Sequence, residues 1–311
     1  MKYILLIVGF ALLIKGADLF VDGSSSVAKR LKVSTILIGM TIVAMGTSLP
    51  ECSVSVSAAI AGKNGLAISN AVGSNIFNLM VVCGICALFY PLTVSISTLK
   101  KEFPFSVLVA ILLLLCGITE MIVNNIEGIL LLLFFVAFII WMIMSAKKAR
   151  KNGVILNQEE YKLLPAWKCI LFIIGGITAI IIGGNLVVNS ATEIAKDFGM
   201  SDNLIGLTVV AFGTSLPELV TSVVAAKKKE IDMALGNVIG SNIFNILFVL
   251  GIAATIAPIT FSTENIIDII LLITMSIMVW LFAWKKKKII RIDGLIMLLC
   301  YAAYFLYICM R

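Results

Sequence analysis

Residues 38 to 57, IGMTIVAMGTSLPECSVSVS, return 167 positions later as IGLTVVAFGTSLPELVTSVV at residues 205 to 224, with 13 of 20 positions identical. Each copy sets one acid, Glu51 or Glu218, directly after a proline, Pro50 or Pro217, inside an intensely apolar run. The chain is therefore a duplication, and each half has to accommodate the same proline and the same carboxylate. The self-match is ungapped from Gly16/Gly183 through Pro91/Pro258 but uneven: 11 of 20 positions agree between residues 67 to 86 and 234 to 253, yet only 8 of 30 between residues 1 to 30 and 168 to 197. Drift would be uniform if hydrophobicity were the sole requirement. Two polar segments per half answer to something local.

With 61% of its 311 residues apolar and only 13% charged, the chain cannot be an ordinary soluble domain, in which about 25% would be charged. It reads as an integral membrane protein of the all-α class. Apolar runs at residues 64 to 99, 103 to 119, 128 to 146, 169 to 192, 233 to 263, 269 to 284 and 294 to 310, with the less pure stretches 3 to 22, 33 to 62 and 203 to 226, predict ten membrane helices. No strand-period alternation supports a barrel. The first stretch runs on into Lys15, Asp18 and Asp22 without a small-residue cleavage site, which predicts a retained helix.

Five helices per half is an odd number, so the second half has to enter the membrane from the opposite side. That is the inverted-topology repeat of secondary transporters. The expected organisation is a first repeat over residues 1 to 146, a polar cytoplasmic linker over 147 to 164, and a second repeat over 165 to 311. With both termini outside, 19 basic residues fall in cytoplasmic segments and four, Lys2, Lys63, Lys196 and Arg311, in outer ones, as the positive-inside rule asks. The same clustering accounts for the net charge of +7. The basic groups are expected to meet lipid headgroups, and no nucleic acid or obligatory protein partner is inferred.

The seven cysteines lie mostly in apolar runs and are expected to pack as small hydrophobes. No histidine is present, which leaves carboxylates as the titrating groups in the membrane. No nucleotide loop, nucleophile elbow or hydrolase metal spacing appears, so neither an enzyme nor a cofactor is expected.

In Gly46-Thr47-Ser48-Leu49-Pro50-Glu51 and its twin Gly213-Thr214-Ser215-Leu216-Pro217-Glu218, proline removes the amide that would bond the carbonyl four residues back. Carbonyl oxygens freed in mid-membrane have to line protein or a hydrated cavity. Thr47, Ser48, Thr214 and Ser215 add hydroxyl oxygens on the same turns. Hard divalent cations such as calcium take six to eight oxygen ligands, and two glutamates neutralise one such ion. Magnesium, which parts reluctantly with water, is less well served, as are softer transition metals. The second motif, GSNIFN at residues 73 to 78 and 240 to 245, sets Ser74 with Asn78 and Ser241 with Asn245 at i, i+4 on one helix face, where they can complete the oxygen shell. Asn75 and Asn242 point elsewhere and are expected to bond interrupted backbone. Asp18 and Asp22 are expected at a solvated helix end, with Lys15 snorkelling or pairing with one of them. Glu120, Glu127, Glu264 and Asp268 read as solvated.

GTSLPE followed by NxxGSNIFN, twice, in two halves of five helices, resembles the sodium/calcium exchanger branch of the cation/calcium exchanger superfamily in its small prokaryotic form. The resemblance covers essentially the whole chain. It implies a multi-pass cell-membrane antiporter with both termini outside and four ion sites between helices two, three, seven and eight. Calcium is then held mainly by Glu51 and Glu218 with oxygens of Thr47 and Thr214. Sodium sites add Ser48, Ser74, Ser215 and Ser241 and the backbone carbonyls of Ala44 and Ala211, while long helices one and six slide to expose the core alternately. Three sodium ions are commonly exchanged for one calcium. Some members, including potassium-dependent ones, carry an aspartate where this chain has Asn245, so potassium independence is expected. A proton-driven calcium exchanger using the same two glutamates is the alternative.

Overall fold

The computed structural model describes residues 1–151, 163–200, 209 and 211–310. Twelve helices span these residues: α1 Lys2–Leu31, α2 Thr35–Thr47, α3 Leu49–Ile60, α4 Gly65–Phe89, α5 Thr98–Glu120, α6 Asn125–Lys151, α7 Ala166–Asp197, α8 Ala211–Thr214, α9 Leu216–Lys227, α10 Ile231–Ile256, α11 Thr263–Lys286 and α12 Arg291–Met310. Eight are long and apolar enough to cross a membrane, and α2 with α3, bent by 50° at Ser48, makes up to nine. The tenth expected span, 203 to 226, lies partly outside the described residues; its described part is the pair α8 and α9. Most of the expected linker, residues 152 to 162, also lies outside them, and α6 takes in the linker's first residues, 147 to 151.

Two outer helices outrun their sequence expectation. The stretches 3 to 22 and 169 to 192 become helices of 30 and 32 residues, because a helix does not end merely where polar residues begin. Asp18 and Asp22, with Ser24, Ser25 and Ser26, continue α1 until Lys32 turns left-handed, φ 54°, and closes it. A further detail below the reach of periodicity is a set of two-residue strands. Leu92–Thr93 pairs antiparallel with Lys288–Ile289, and Ile122–Val123 with Ile259–Thr260. Each ladder joins one half of the chain to the other, and the repeat offset carries one ladder onto the other to within a residue. Strands this short carry no alternation to read.

The centre is formed by α4 and α10, whose apolar windows are 78% buried against 22 to 39% for the other long helices. That difference identifies α4 and α10 as the inner helices and the others as the lipid-facing ones. Outside this core α1 and α7 cross each other on glycines. A Cβ at Gly16 would lie 2.9 Å from Gly176 O, and one at Gly183 would lie 2.7 Å from Gly9 O. Small residues permit such close backbone approach between membrane helices. Gly183→Ala is expected to lower the thermal unfolding midpoint of the detergent-purified protein, with a cost of about 1–3 kcal/mol for overpacking. Gly175→Ala, where a Cβ meets nothing within 4 Å, should leave it unchanged or raised, since alanine is the better helix former by about 1 kcal/mol. Equal effects at the two positions would remove the glycine contact as the reason for the crossing.

Candidate ion-binding site

Both glutamates sit in the first turn of a helix that begins at a break. Ser48, φ −86° and ψ 12°, separates α2 from α3, and Ser215, φ −92° and ψ 5°, separates α8 from α9, with Pro50 and Pro217 inside the first turn that follows. Neither proline can donate to the carbonyl four residues back, at Gly46 or Gly213. Glu51 and Glu218 are wholly buried at helix N-termini, where the backbone dipole favours negative charge.

The two halves hold each other's acid. Ser48 Oγ donates to Glu218 Oε1 at 2.8 Å, and Ser215 Oγ lies 3.2 Å from Glu51 Oε1 and 3.1 Å from Ser74 Oγ. Behind each glutamate an asparagine absent from the expected ligand set ties down the turn. Asn70 Nδ2 donates to Glu51 O at 3.1 Å and Ser55 Oγ at 3.0 Å, while Asn237 Nδ2 donates to Ser222 Oγ at 2.9 Å and reaches Glu218 O at 3.5 Å. Thr47 Oγ1 lies 3.1 Å from Asn237 Oδ1, so it is oriented by this same network. The signal was present in the sequence: Asn70/Asn237 and Ser55/Ser222 are identical at the repeat offset.

The GSNIFN segments run through the buried centre of α4 and α10. Each widens into a π turn at its last residue, Asn78–Val82 and Asn245–Val249, as does α2 at Gly39–Val43; π turns frequently mark functional sites, and nothing in the residue pattern announces them. Asn75 Nδ2 donates to Asn242 O at 3.0 Å and Asn242 Nδ2 to Asn75 O at 3.2 Å, so these two bond each other's main chain. Of the expected carbonyl ligands, Ala44 O already accepts from Ser48 N–H at 3.0 Å and stands 3.3 Å from Thr47 Oγ1, so it would have to share. Ala211 opens α8 and Thr214, half-buried, closes it.

What the network leaves unmet is all oxygen. Among the buried side-chain atoms with no hydrogen-bond partner are Glu51 Oε2, Glu218 Oε2, Asn78 Oδ1, Asn245 Oδ1 and Ser241 Oγ. Four of these five cannot donate when the acids are ionised, and buried polar atoms without partners are rare in native folds. The five come from the repeated motifs of both halves, and a hard cation is the ligand that satisfies several such oxygens at once. Among the described residues no group of three or more His, Cys, Asp or Glu side chains could hold a metal, so the donor set is two carboxylates with neutral oxygens.

Two expectations away from the centre need correction. The α1 aspartates pair with Lys228, just beyond α9, at 2.8 Å from Asp18 and 2.6 Å from Asp22, in place of the Lys15 pairing expected as the alternative to its snorkelling. Beside this bridge Ser25 hydrogen-bonds Glu230, and both line a cavity of about 350 Å³ with Asp22, Lys29 and Lys228. Asp268 is buried, at 4% exposure, rather than solvated, since α11 begins at Thr263 and carries it into the protein.

A family model described as sodium/calcium exchanger protein matches residues 1–144 and 168–310. The chain is 40% identical over 314 aligned residues to the putative antiporter CaxA of Alkalimonas amylolytica, covering 97% of this chain and 96% of that one. It is 30% identical to the sodium/calcium exchanger MaX1 of Methanosarcina acetivorans, covering 97% of each. In structure it is similar to the sodium-calcium exchanger NCX_Mj soaked without sodium and calcium, with a TM-score of 0.86, 34% identity, and coverage of 99% of this chain and 98% of that one. The chain belongs to the sodium/calcium exchanger family.

Proposed function

We propose that the protein exports calcium across the cell membrane in exchange for sodium, three for one and independently of potassium, by alternating access to one buried site. The observation that carries this reading is the set of partnerless buried oxygens on Glu51, Glu218, Asn78, Asn245 and Ser241. Glu51 and Glu218 with Thr47 and Thr214 take calcium. Ser48, Ser74, Ser215 and Ser241 with the carbonyls of Ala44 and Ala211 extend the site for sodium, and Asn78 and Asn245 close it. Transporters of this class bind ions at discontinuous helices near mid-membrane, and the breaks at Ser48 and Ser215 agree with that. Two inverted five-helix repeats, 1 to 146 and 165 to 311, account for the reciprocal contacts between the halves, and the family match in two segments has nearly the same bounds. The 19-to-4 distribution of basic residues supports both termini outside.

The test is uptake of radioactive calcium into sodium-loaded proteoliposomes. Uptake with choline outside, abolished by equal sodium on both sides, is the expected result. Uptake into acid-loaded vesicles without sodium would replace this reading by proton-driven exchange. Potassium enters through Asn245, which offers an oxygen but no third negative charge to hold a further monovalent cation. Replacing potassium by choline on both sides, with the membrane potential held at zero, should leave sodium/calcium exchange unchanged; a stop would place the chain with potassium-dependent exchangers.

A further inference from the structure

Four asparagines form a closed set between α4 and α10. Besides the reciprocal bonds of Asn75 and Asn242 to each other's main chain, Asn245 Nδ2 donates to Asn75 Oδ1 at 3.1 Å, and Asn78 Nδ2 reaches Asn242 Oδ1 at 3.4 Å. All four are buried, none more than 3% exposed. The second ends of Asn78 and Asn245, their Oδ1 atoms, have no partner.

Each step around this set is forced by donor and acceptor chemistry. A main-chain carbonyl only accepts, so the end of the Asn75 amide facing Asn242 O has to be the NH₂, and its other end is oxygen. That oxygen also only accepts, so the end of Asn245 facing it has to be NH₂. The remaining end of Asn245 is then oxygen, and it is the end left without a partner. The same sequence runs from Asn242 through Asn78. An amide side chain released from this constraint presents either end to its surroundings, and an NH₂ aimed at a cation repels it.

We propose that Asn75 and Asn242 are positioning residues of the ion site, which fix the amide orientation of Asn245 and Asn78 so that both present oxygen and never NH₂ to the transported cation. The inference rests on the reading of Asn78 and Asn245 as ion ligands and adds what makes an asparagine serviceable in that position. It also assigns a role to the two GSNIFN residues that do not share the ligand face.

The orientation role is separable from a packing role because a carboxylate presents oxygen whichever way it turns. The readout is protection of the detergent-purified protein against thermal unfolding by calcium alone or sodium alone, titrated for wild type, Asn75→Leu, Asn245→Asp and the double variant. Asn75→Leu should raise the half-protecting concentration of calcium at least tenfold. Asn245→Asp should then improve calcium protection at least tenfold more in the Asn75→Leu background than in the wild-type one, because only there does it cure a free-turning amide. Equal improvement in both backgrounds, or undiminished protection of Asn75→Leu, would overturn the inference. Should Asn75→Leu fail to accumulate in the membrane, Asn75→Ser reads the same cycle, since its short hydroxyl cannot dictate the Asn245 amide. If neither cation protects the wild-type protein, the ion-site reading itself falls and takes this inference with it.

Discussion

Glu51→Gln and Glu218→Gln should each reduce calcium transport by a hundredfold or more while leaving the purified protein folded. Each acid is wholly buried and spends one oxygen on a serine from the other half, Ser215 on Glu51 Oε1 and Ser48 on Glu218 Oε1. Glutamine can keep that bond with its own oxygen, but its NH₂ then stands where the partnerless Oε2 stood. The change therefore removes a counter-charge and turns a donor toward the cation. Loss of one partner from a buried ionic contact costs about 3–5 kcal/mol, which is at least a hundredfold in affinity. Stability without ions should not fall, because a buried charge has been neutralised, so intact thermal unfolding with lost calcium protection is the expected pair of results. Thr47→Ala should be milder, because Thr47 Oγ1 is already shared with Val43 O and Asn237 and backbone oxygens remain. Transport near the wild-type rate in either glutamine variant would remove the two-carboxylate site.

The motifs showed in the sequence because a duplication exposes which polar residues cannot drift. GTSLPE placed both breaks, the two acids and the serines that hold them, since proline chemistry acts within one turn of the chain. What stayed hidden depends on partners distant in sequence. Asn70 and Asn237 were identical at the repeat offset, yet their task of bonding Glu51 O and Glu218 O is a contact between α4 and α3, or α10 and α9, which spacing does not reveal. Lys228 as the partner of Asp18 and Asp22 joins residues 206 and more positions apart. Asp268 reads as solvated because the uncharged run begins only after it, whereas a capping box at Ser262 and Asn265 starts α11 earlier. The lengths of α1 and α7 were underestimated for a related reason: serines and aspartates lower helix propensity only by fractions of a kcal/mol, and packing outweighs that.

Charge at the site decides how the cycle responds to voltage. Two carboxylates with amide and hydroxyl oxygens carry two negative charges without ions, none with one calcium, and one positive charge with three sodium ions. Asn78 and Asn245 add no charge to this account. Under the proposed three-for-one exchange each full cycle moves one net positive charge, worth about 2.3 kcal/mol per 100 mV, or roughly fiftyfold in the calcium gradient that can be sustained. In sodium-loaded vesicles three charges leave as two enter, so an inside-positive potential set by potassium and valinomycin should accelerate calcium entry and raise its final level, and an inside-negative one should depress both. Direct measurement of the calcium ratio at steady state against the clamped potential gives the stoichiometry from its slope. A ratio indifferent to potential would mean that only two sodium ions occupy the site with its two glutamates, a neutral exchange in which the serine and carbonyl oxygens serve sodium at fewer positions than proposed.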